Sequence, residues 1–493
     1  YFQISSGDEY RGVLNQVIDD ELFYMARIKD VMDGHMTLGN AYLYEHKNQL
    51  PQQLFLPEFL LAQPLKFLNL DIVQGRVLYS FILPALVFIL TYIAFYLICP
   101  SRFWANLFAV FLFFGLYLFK FTRPVIPQFV FLFWLSQFIL LWLLIKKTEN
   151  KRLIFLNILN FGLLFYVYPF YWTFYLVFLV LLVFVYFFRD RLLSKQFLKI
   201  LIGGLAIGSF YFYLTFLASQ LPEYQETLTR LQLVFSRSLS EIKSVGLSLA
   251  VLFLMGILYY FRKIKISREI IFFIAGLVSI LFVTNQNIIT GLKLEFGHYR
   301  MLSVFFAAFA VYYLLGQIKL FNSRILKSLF VFSVIIFSVY ATRGYIQRIS
   351  NISEQNIYRQ KYAAVFDWFK KNTPSDSVVY ANEDISGLLP VYTANNVFYS
   401  RYANLFIMFD RETEERFILN NFFERIDRDF VIEQERSIWG VRYIDRYGDA
   451  VQANKLRRPL CFKPKPEIGL PEEEISKVLA LAHSIQKSNF KER

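Results

Sequence analysis

Ten apolar runs, each about the length a helix needs to cross a bilayer, fill most of residues 77 to 342. They fall at about 77–98, 104–121, 126–145, 153–168, 170–188, 198–218, 245–261, 269–284, 299–317 and 325–342. A helix rises about 1.5 Å per residue, so roughly 17 to 25 apolar residues span the hydrocarbon layer. The stretch 153–188 is too long for one crossing. Its middle reads "YVYPFYW", and Pro169 among aromatic rings predicts a turn at the water boundary. Only 18% of the 493 residues are charged, against about 25% in soluble domains. The chain therefore reads as a polytopic α-helical membrane protein with about ten spanning helices.

The loops predict an orientation. "KKTENKR" (146–152), "RDRLLSKQFLK" (189–199), "RKIKISRE" (262–269) and "QIKLFNSRILK" (317–327) are short and basic. The positive-inside rule assigns each to the cytoplasm. The same rule accounts for the net charge of +14 without nucleic acid as a partner. Segment 1–76, with an amphipathic helix, is then an outer-face first loop. Residues 77–342 form the transmembrane domain, and 343–493 a soluble domain on the outer face. One more spanning helix upstream is expected, to return the N-terminus to the cytoplasm. The membrane is expected to be a bacterial-type cytoplasmic one. Cys99 and Cys461 fall on opposite sides and are not expected to pair.

The tail suggests a small α/β domain. "YAAVFDWFKKNTP" predicts a helix stopped by Pro374, and "PEEEISKVLALAHSIQK" a final helix with acids in its first turn. "SVVYA", "NVFYS" and "GVRYID" are rich in strand-forming residues.

The candidate chemistry lies in the segments expected to face out. "IDDELFYMARIKDVMDGH" (18–35) opens a helix with Asp19, Asp20 and Glu21, and Gly34 ends it. An acid at the N-cap is ordinary, but three exceed what capping needs. Asp19 is expected to cap and Asp20 to face a substrate. The proline-punctuated loop 40–64 carries Glu45, His46, Lys47 and Glu58. Glu45 beside His46 could contact a divalent metal ion, but the pair lacks metal-ligand spacing. The loop "TNQNIITGLKLEFGHYRMLS" (284–303) offers His298 and Arg300, the latter at headgroup depth, where a guanidinium fork suits phosphate. Lys120 and Arg123 invite the same reading. The spanning cores are nearly uncharged, with Asn157 and Asn160 the main polar groups, so an ion relay is not expected. No Walker A, GxGxxG or CxxC motif occurs.

Taken together, "DDELFY" followed by "RIKDVMDG" in the first outer loop, the multi-helix domain and the closing outer-face domain resemble the GT-C superfamily of membrane glycosyltransferases. That group includes protein O-mannosyltransferases, aminoarabinose transferases and the catalytic subunits of oligosaccharyltransferases. The resemblance implies a polyisoprenyl-phosphate sugar as donor and a lipid, glycan or protein acceptor, met among the membrane lipids. It implies a catalytic carboxylate in the first loop, matched best by Asp20, with Asp19 and Glu21 beside it. It leaves a divalent metal ion open as cofactor. Arg300, His298, Lys47, Arg123, Glu45 and His46 are the candidate substrate or phosphate contacts. Two other readings stand beside it: a lipid or solute transporter or flippase, and a non-catalytic membrane-anchored binding or assembly protein.

Overall fold

The computed structural model describes residues 6–491 except 17–19, 37–38, 52–54, 117–122, 232–233, 236, 238–241, 294–295, 352 and 459–461. The candidates Asp19 and Lys120, and Cys461, lie outside the described residues. Two helices precede the spanning region, α1 (Glu21–Asp33) and α2 (Leu56–Leu68). The spanning region follows with α3 (Ile72–Ile98), α4 (Arg102–Val110), α5 (Val130–Lys146), α6 (Lys151–Val167), α7 (Pro169–Arg189) and α8 (Arg191–Ser219). After the short α9 (Tyr224–Arg230) come α10 (Ile242–Tyr260), α11 (Arg268–Val283), α12 (Tyr299–Gln317) and α13 (Arg324–Asn351). Among the described residues, eight helices are long and apolar enough to cross a membrane. α4 and α6 are shorter. The turn expected at Pro169 is present: α6 ends at Val167, and Pro169 starts α7.

The spanning core is built from rings. Phe138 packs at 4.4 Å from Phe309, Phe95 at 4.8 Å from the same ring, and Phe178 at 4.9 Å from Phe272. Offset and edge-on pairs of this kind add to simple burial. The amides of Gln137, Asn157 and Asn160 bond to one another within the bundle. Gln137 donates to Asn157 at 3.0 Å, and Asn160 donates to Gln137 at 2.9 Å, so these groups join α5 to α6.

The tail contains α14 (Ala363–Asn372), α15 (Glu383–Tyr392), α16 (Asp410–Asn420), α17 (Arg442–Arg457) and α18 (Glu472–Lys491). The helices expected before Pro374 and at the end are both there. The α/β expectation fails. Strand pairing among the described residues is confined to two ladders of two residues. β1 (Val234–Phe235) pairs antiparallel with β2 (Leu292–Lys293), and β3 (Val378–Val379) pairs parallel with β4 (Asn396–Val397). "SVVYA" and "NVFYS" supply β3 and β4, but "GVRYID" leads into α17. Its buried Tyr443 is joined by Ala450 and Ala453 further along, a helical spacing that a six-residue window cannot reveal. The last spanning helix, α13, continues to Asn351, past the apolar run expected to end near 342.

The tail divides by its packing. Tyr362, Phe366, Leu389, Val397, Phe406 and Met408 join the same hydrophobic core as the bundle and α1, whereas Tyr399, Phe417, Ile438, Trp439 and Val478 form a second, smaller core. Hydrogen bonds stitch the first part to the N-terminal segment: Val397 N donates to Tyr42 O at 2.9 Å, and Leu14 N to the Tyr392 side-chain Oη at 2.8 Å. The N-terminal segment, the 284–298 loop and the tail thus gather at one end of the bundle. Arg230 and Lys293 pair there with Asp410 and Asp449 of the tail. The opposite end is closed by Lys146–Glu269 and Arg268–Asp190.

Close approach of α11 to α12 depends on Gly276, where an added Cβ would lie 1.9 Å from Phe306 Cζ. Gly276→Val is expected to destabilise the bundle by about 1–3 kcal/mol through overpacking, read as a lower thermal midpoint in detergent. An unchanged midpoint would contradict this packing.

Candidate functional site

The site is built on α1, an unusual helix because its polar groups are buried along with its apolar ones. Leu22, Met25, Ala26, Ile28 and Val31 are buried, and so are Glu21, Arg27 and Asp30. Gly34 ends the helix at φ 114°, in the left-handed region where glycine is preferred. α2 and α15 of the tail both pack against α1, and Phe406, beyond α15 in the chain, meets Phe23 at 5.4 Å.

Asp20 holds the N-cap position, yet its side chain caps nothing. Its carboxylate instead meets Arg123 Nη1 at 2.9 Å and stands 3.9 Å from Arg436 Nη2 of the tail. Helix capping therefore does not account for this acid. Arg123 also lies over the ring of Tyr24, 5.5 Å from its centroid, and burial pushes the Tyr24 phenol up to about 12. Glu21 is buried and accepts from Arg76 Nε of α3 at 2.6 Å, which ties α1 to the first spanning helix.

One turn further, Arg27 is buried and donates from Nε to Glu58 Oε1 at 2.8 Å. The second oxygen, Glu58 Oε2, is buried with no hydrogen-bond partner. Glu58 lines a cleft together with Val125 and Ile126, which follow Arg123 in the chain, and with Tyr168, Pro169 and Tyr211 from the heads of other helices. Tyr168 hydrogen-bonds through its hydroxyl to His298 Nδ1, and Phe170 stacks on the same imidazole at 4.6 Å. Arg123, which holds Asp20, thus lies two residues before the cleft-lining Val125, and His298 bonds to the cleft-lining Tyr168. Arg300, two residues beyond His298 at the start of α12, is exposed.

The remaining candidates join the first loop to the tail. Lys47 Nζ lies 3.2 Å from Asp30 Oδ1 and 2.6 Å from Asp376 Oδ1. His35 completes this group, 3.1 Å from Asp30 and 3.8 Å from Asp376. Glu45 pairs with Arg416, and His46 Nε2 lies 2.7 Å from Glu412 Oε1, both on α16. Glu45 and His46, adjacent in sequence, thus both engage α16. No group of three or more His, Cys, Asp or Glu side chains arranged to hold a metal ion occurs among the described residues. Glu226, in α9, accepts from the Asp410 backbone N–H at 2.6 Å. Nearby, the fully buried Arg230 donates to Met408 O at 2.6 Å and pairs with Asp410.

The singular importance of Glu58 was not visible in the sequence, nor was the anchoring role of Arg230. Glu58 lies between Pro57 and Phe59 in a stretch that looks extended. The available signal was a carboxylate within an otherwise apolar run, which implies a buried partner.

Two histidines couple the tail to pH. Hydrogen bonding to Asp30 raises the His35 pKa, against the opposing effect of burial, and bonding to Glu412 does the same for His46. A raised folded pKa means each contribution is full below the ordinary value of about 6.5 and is lost as pH rises through the folded value. The thermal midpoint of the wild type is expected to fall as pH rises from about 6.5, and the His35→Gln/His46→Gln double variant to show a flatter profile. Parallel profiles for the two proteins would refute the coupling.

Compared with protein-family models and with curated proteins, the chain matches none.

Proposed function

We propose that this protein is a glycosyltransferase that moves a sugar from a polyisoprenyl-phosphate donor to a lipid, glycan or protein acceptor. The reaction is assigned to the end of the bundle that carries α1, read as the outer face of a bacterial-type cytoplasmic membrane. The observation that carries this reading is Asp20. It is a first-loop carboxylate, 45% exposed, that makes no capping bond to its own helix and meets Arg123, two residues before the cleft-lining Val125.

The chemistry follows from these groups. The acceptor hydroxyl oxygen attacks the anomeric carbon while the bond from that carbon to the phosphate oxygen breaks. The bonding pair leaves with the lipid phosphate, and Asp20 takes the hydroxyl proton. A single displacement inverts the anomeric centre. Charge grows on the departing phosphate, and preorganised cations stabilise such charge most where water is scarce. Arg123 is next to Asp20 and suited to that task, with Arg300 and His298 on the neighbouring loop. The isoprenyl chain would lie along apolar helices at the lipid boundary, which places its phosphate at headgroup depth.

The decisive assay is transfer from a panel of polyisoprenyl-phosphate sugars by the purified full-length chain, read as release of lipid phosphate. Asp20→Asn is expected to lower kcat by about 100-fold or more, the usual contribution of a general base, with the thermal midpoint retained. Arg123→Gln is expected to lower kcat/KM. Full turnover by folded Asp20→Asn would remove Asp20 from the mechanism, and absence of turnover with every donor would sink the reading.

A further inference from the structure

The end of the bundle away from α1 holds a cavity of about 410 Å³ that the glycosyltransferase reading does not use. It lies where the turn between α3 and α4 meets the turn between α12 and α13. Its lining includes Ser101, Phe103, Trp104, Lys319, Asn322 and Lys327. The size suits a small polar ligand or a lipid headgroup.

The charge of this cavity has one sign. The two lining turns, residues 99–104 and 316–327, contain Arg102, Lys319, Arg324 and Lys327 and no acid. Lys319 and Lys327 are exposed, and among the described residues neither forms an ion pair with a carboxylate. Lys327 Nζ instead sits 4.0 Å from the centre of the Phe103 ring. The floor is rigid. Trp104 stacks on Phe321 at 4.9 Å and donates from Nε1 to Phe321 O at 3.0 Å. Ser101 caps α4, and the first-turn N–H groups of that helix, which have no intrahelical acceptor, add positive potential beside the lysines. Phe103 is an exposed apolar group of the lining, and Leu320, next to Lys319 in the chain, is exposed as well.

Cations without carboxylate partners, donor groups and an aromatic floor together fit a phosphate-bearing anion. The exposed apolar groups at the end of the spanning helices favour a phosphate that arrives on a lipid. We propose that this cavity is a binding site for the phosphate headgroup of an anionic membrane lipid, separate from the site at Asp20. By the positive-inside reading this end meets the cytoplasmic leaflet, where anionic lipids are found.

The test uses the full-length chain, purified and delipidated in detergent, with binding read by native mass spectrometry. Phosphatidylglycerol, phosphatidylcholine and inorganic phosphate serve as separate probes. The wild type is expected to bind phosphatidylglycerol about tenfold more tightly than phosphatidylcholine. Lys319→Gln/Lys327→Gln is expected to remove most of that preference. Lys263→Gln/Lys265→Gln, which removes the same charge from another basic loop, is expected to retain it. All four lysines are exposed, so an unchanged thermal midpoint checks the fold. The proposal is overturned if the two lipids bind alike, if the cavity variant keeps the preference, or if both variants lose it equally. Lysine-dependent binding of inorganic phosphate without any lipid preference would assign the cavity to a soluble anion and overturn the lipid assignment.

Discussion

A guanidinium cannot be left unpaired in a dry interior, and Arg27 is 2% exposed in the middle of α1. Glu58 neutralises it from α2, so α2 must lie against α1. The same helix sends Glu21 to Arg76 at the start of the spanning region and Asp30 to Lys47 in the following loop. Removing one partner of such a buried pair typically costs about 3–5 kcal/mol, because the other charge is left behind. These pairs fix how the segment before the membrane sits on the bundle, and the tail closes over it.

That arrangement divides the charged groups into two sets with different work. Around the start of α1, Asp20 pairs with Arg123, two residues before Val125 of a cleft lined also by Glu58, whose buried Oε2 is unsatisfied. Around its end, Asp30, His35, Lys47 and Asp376 cross-link the loop to the tail, with Glu45 and His46 extending the clasp to α16. Asp20 forgoes a capping bond that would contribute about 1 kcal/mol and pairs with Arg123 instead, a poor choice for helix stability alone. The clasp has an evident structural purpose. It holds the first part of the tail on α1, while the second part folds around its own core.

Some of this was legible in the residues. The apolar runs located the helices, "YVYPFYW" marked the break between α6 and α7, and Gly34 marked the end of α1. The acidic opening drew notice to Asp20, and its lack of a capping bond agrees with the view that capping alone does not explain three acids. Other readings depended on partners far away in the chain. Glu45 and His46 looked like neighbours that might share a ligand, but both turned to α16, some 370 positions on. "GVRYID" looked like a strand because six residues carry too little periodicity to exclude one, and its helix was settled by burial against the second core.

The sequence by itself determined that this is a helical membrane protein, because the number and length of apolar runs leave few other ways to satisfy their backbone polar groups. It also determined where the polar segments fall between those runs. Only the tertiary structure decided which acid pairs with which base. Glu58 and Arg27 are 31 residues apart, Asp20 and Arg123 are 103 apart, and Arg230 and Asp410 are 180 apart. Charge pairing at such separations has no local signature, since any acid can neutralise any base that packing brings within reach. It was packing, with burial enforcing the pairing, that made Glu21 a buried anchor on Arg76 and left Asp20 partly exposed against Arg123.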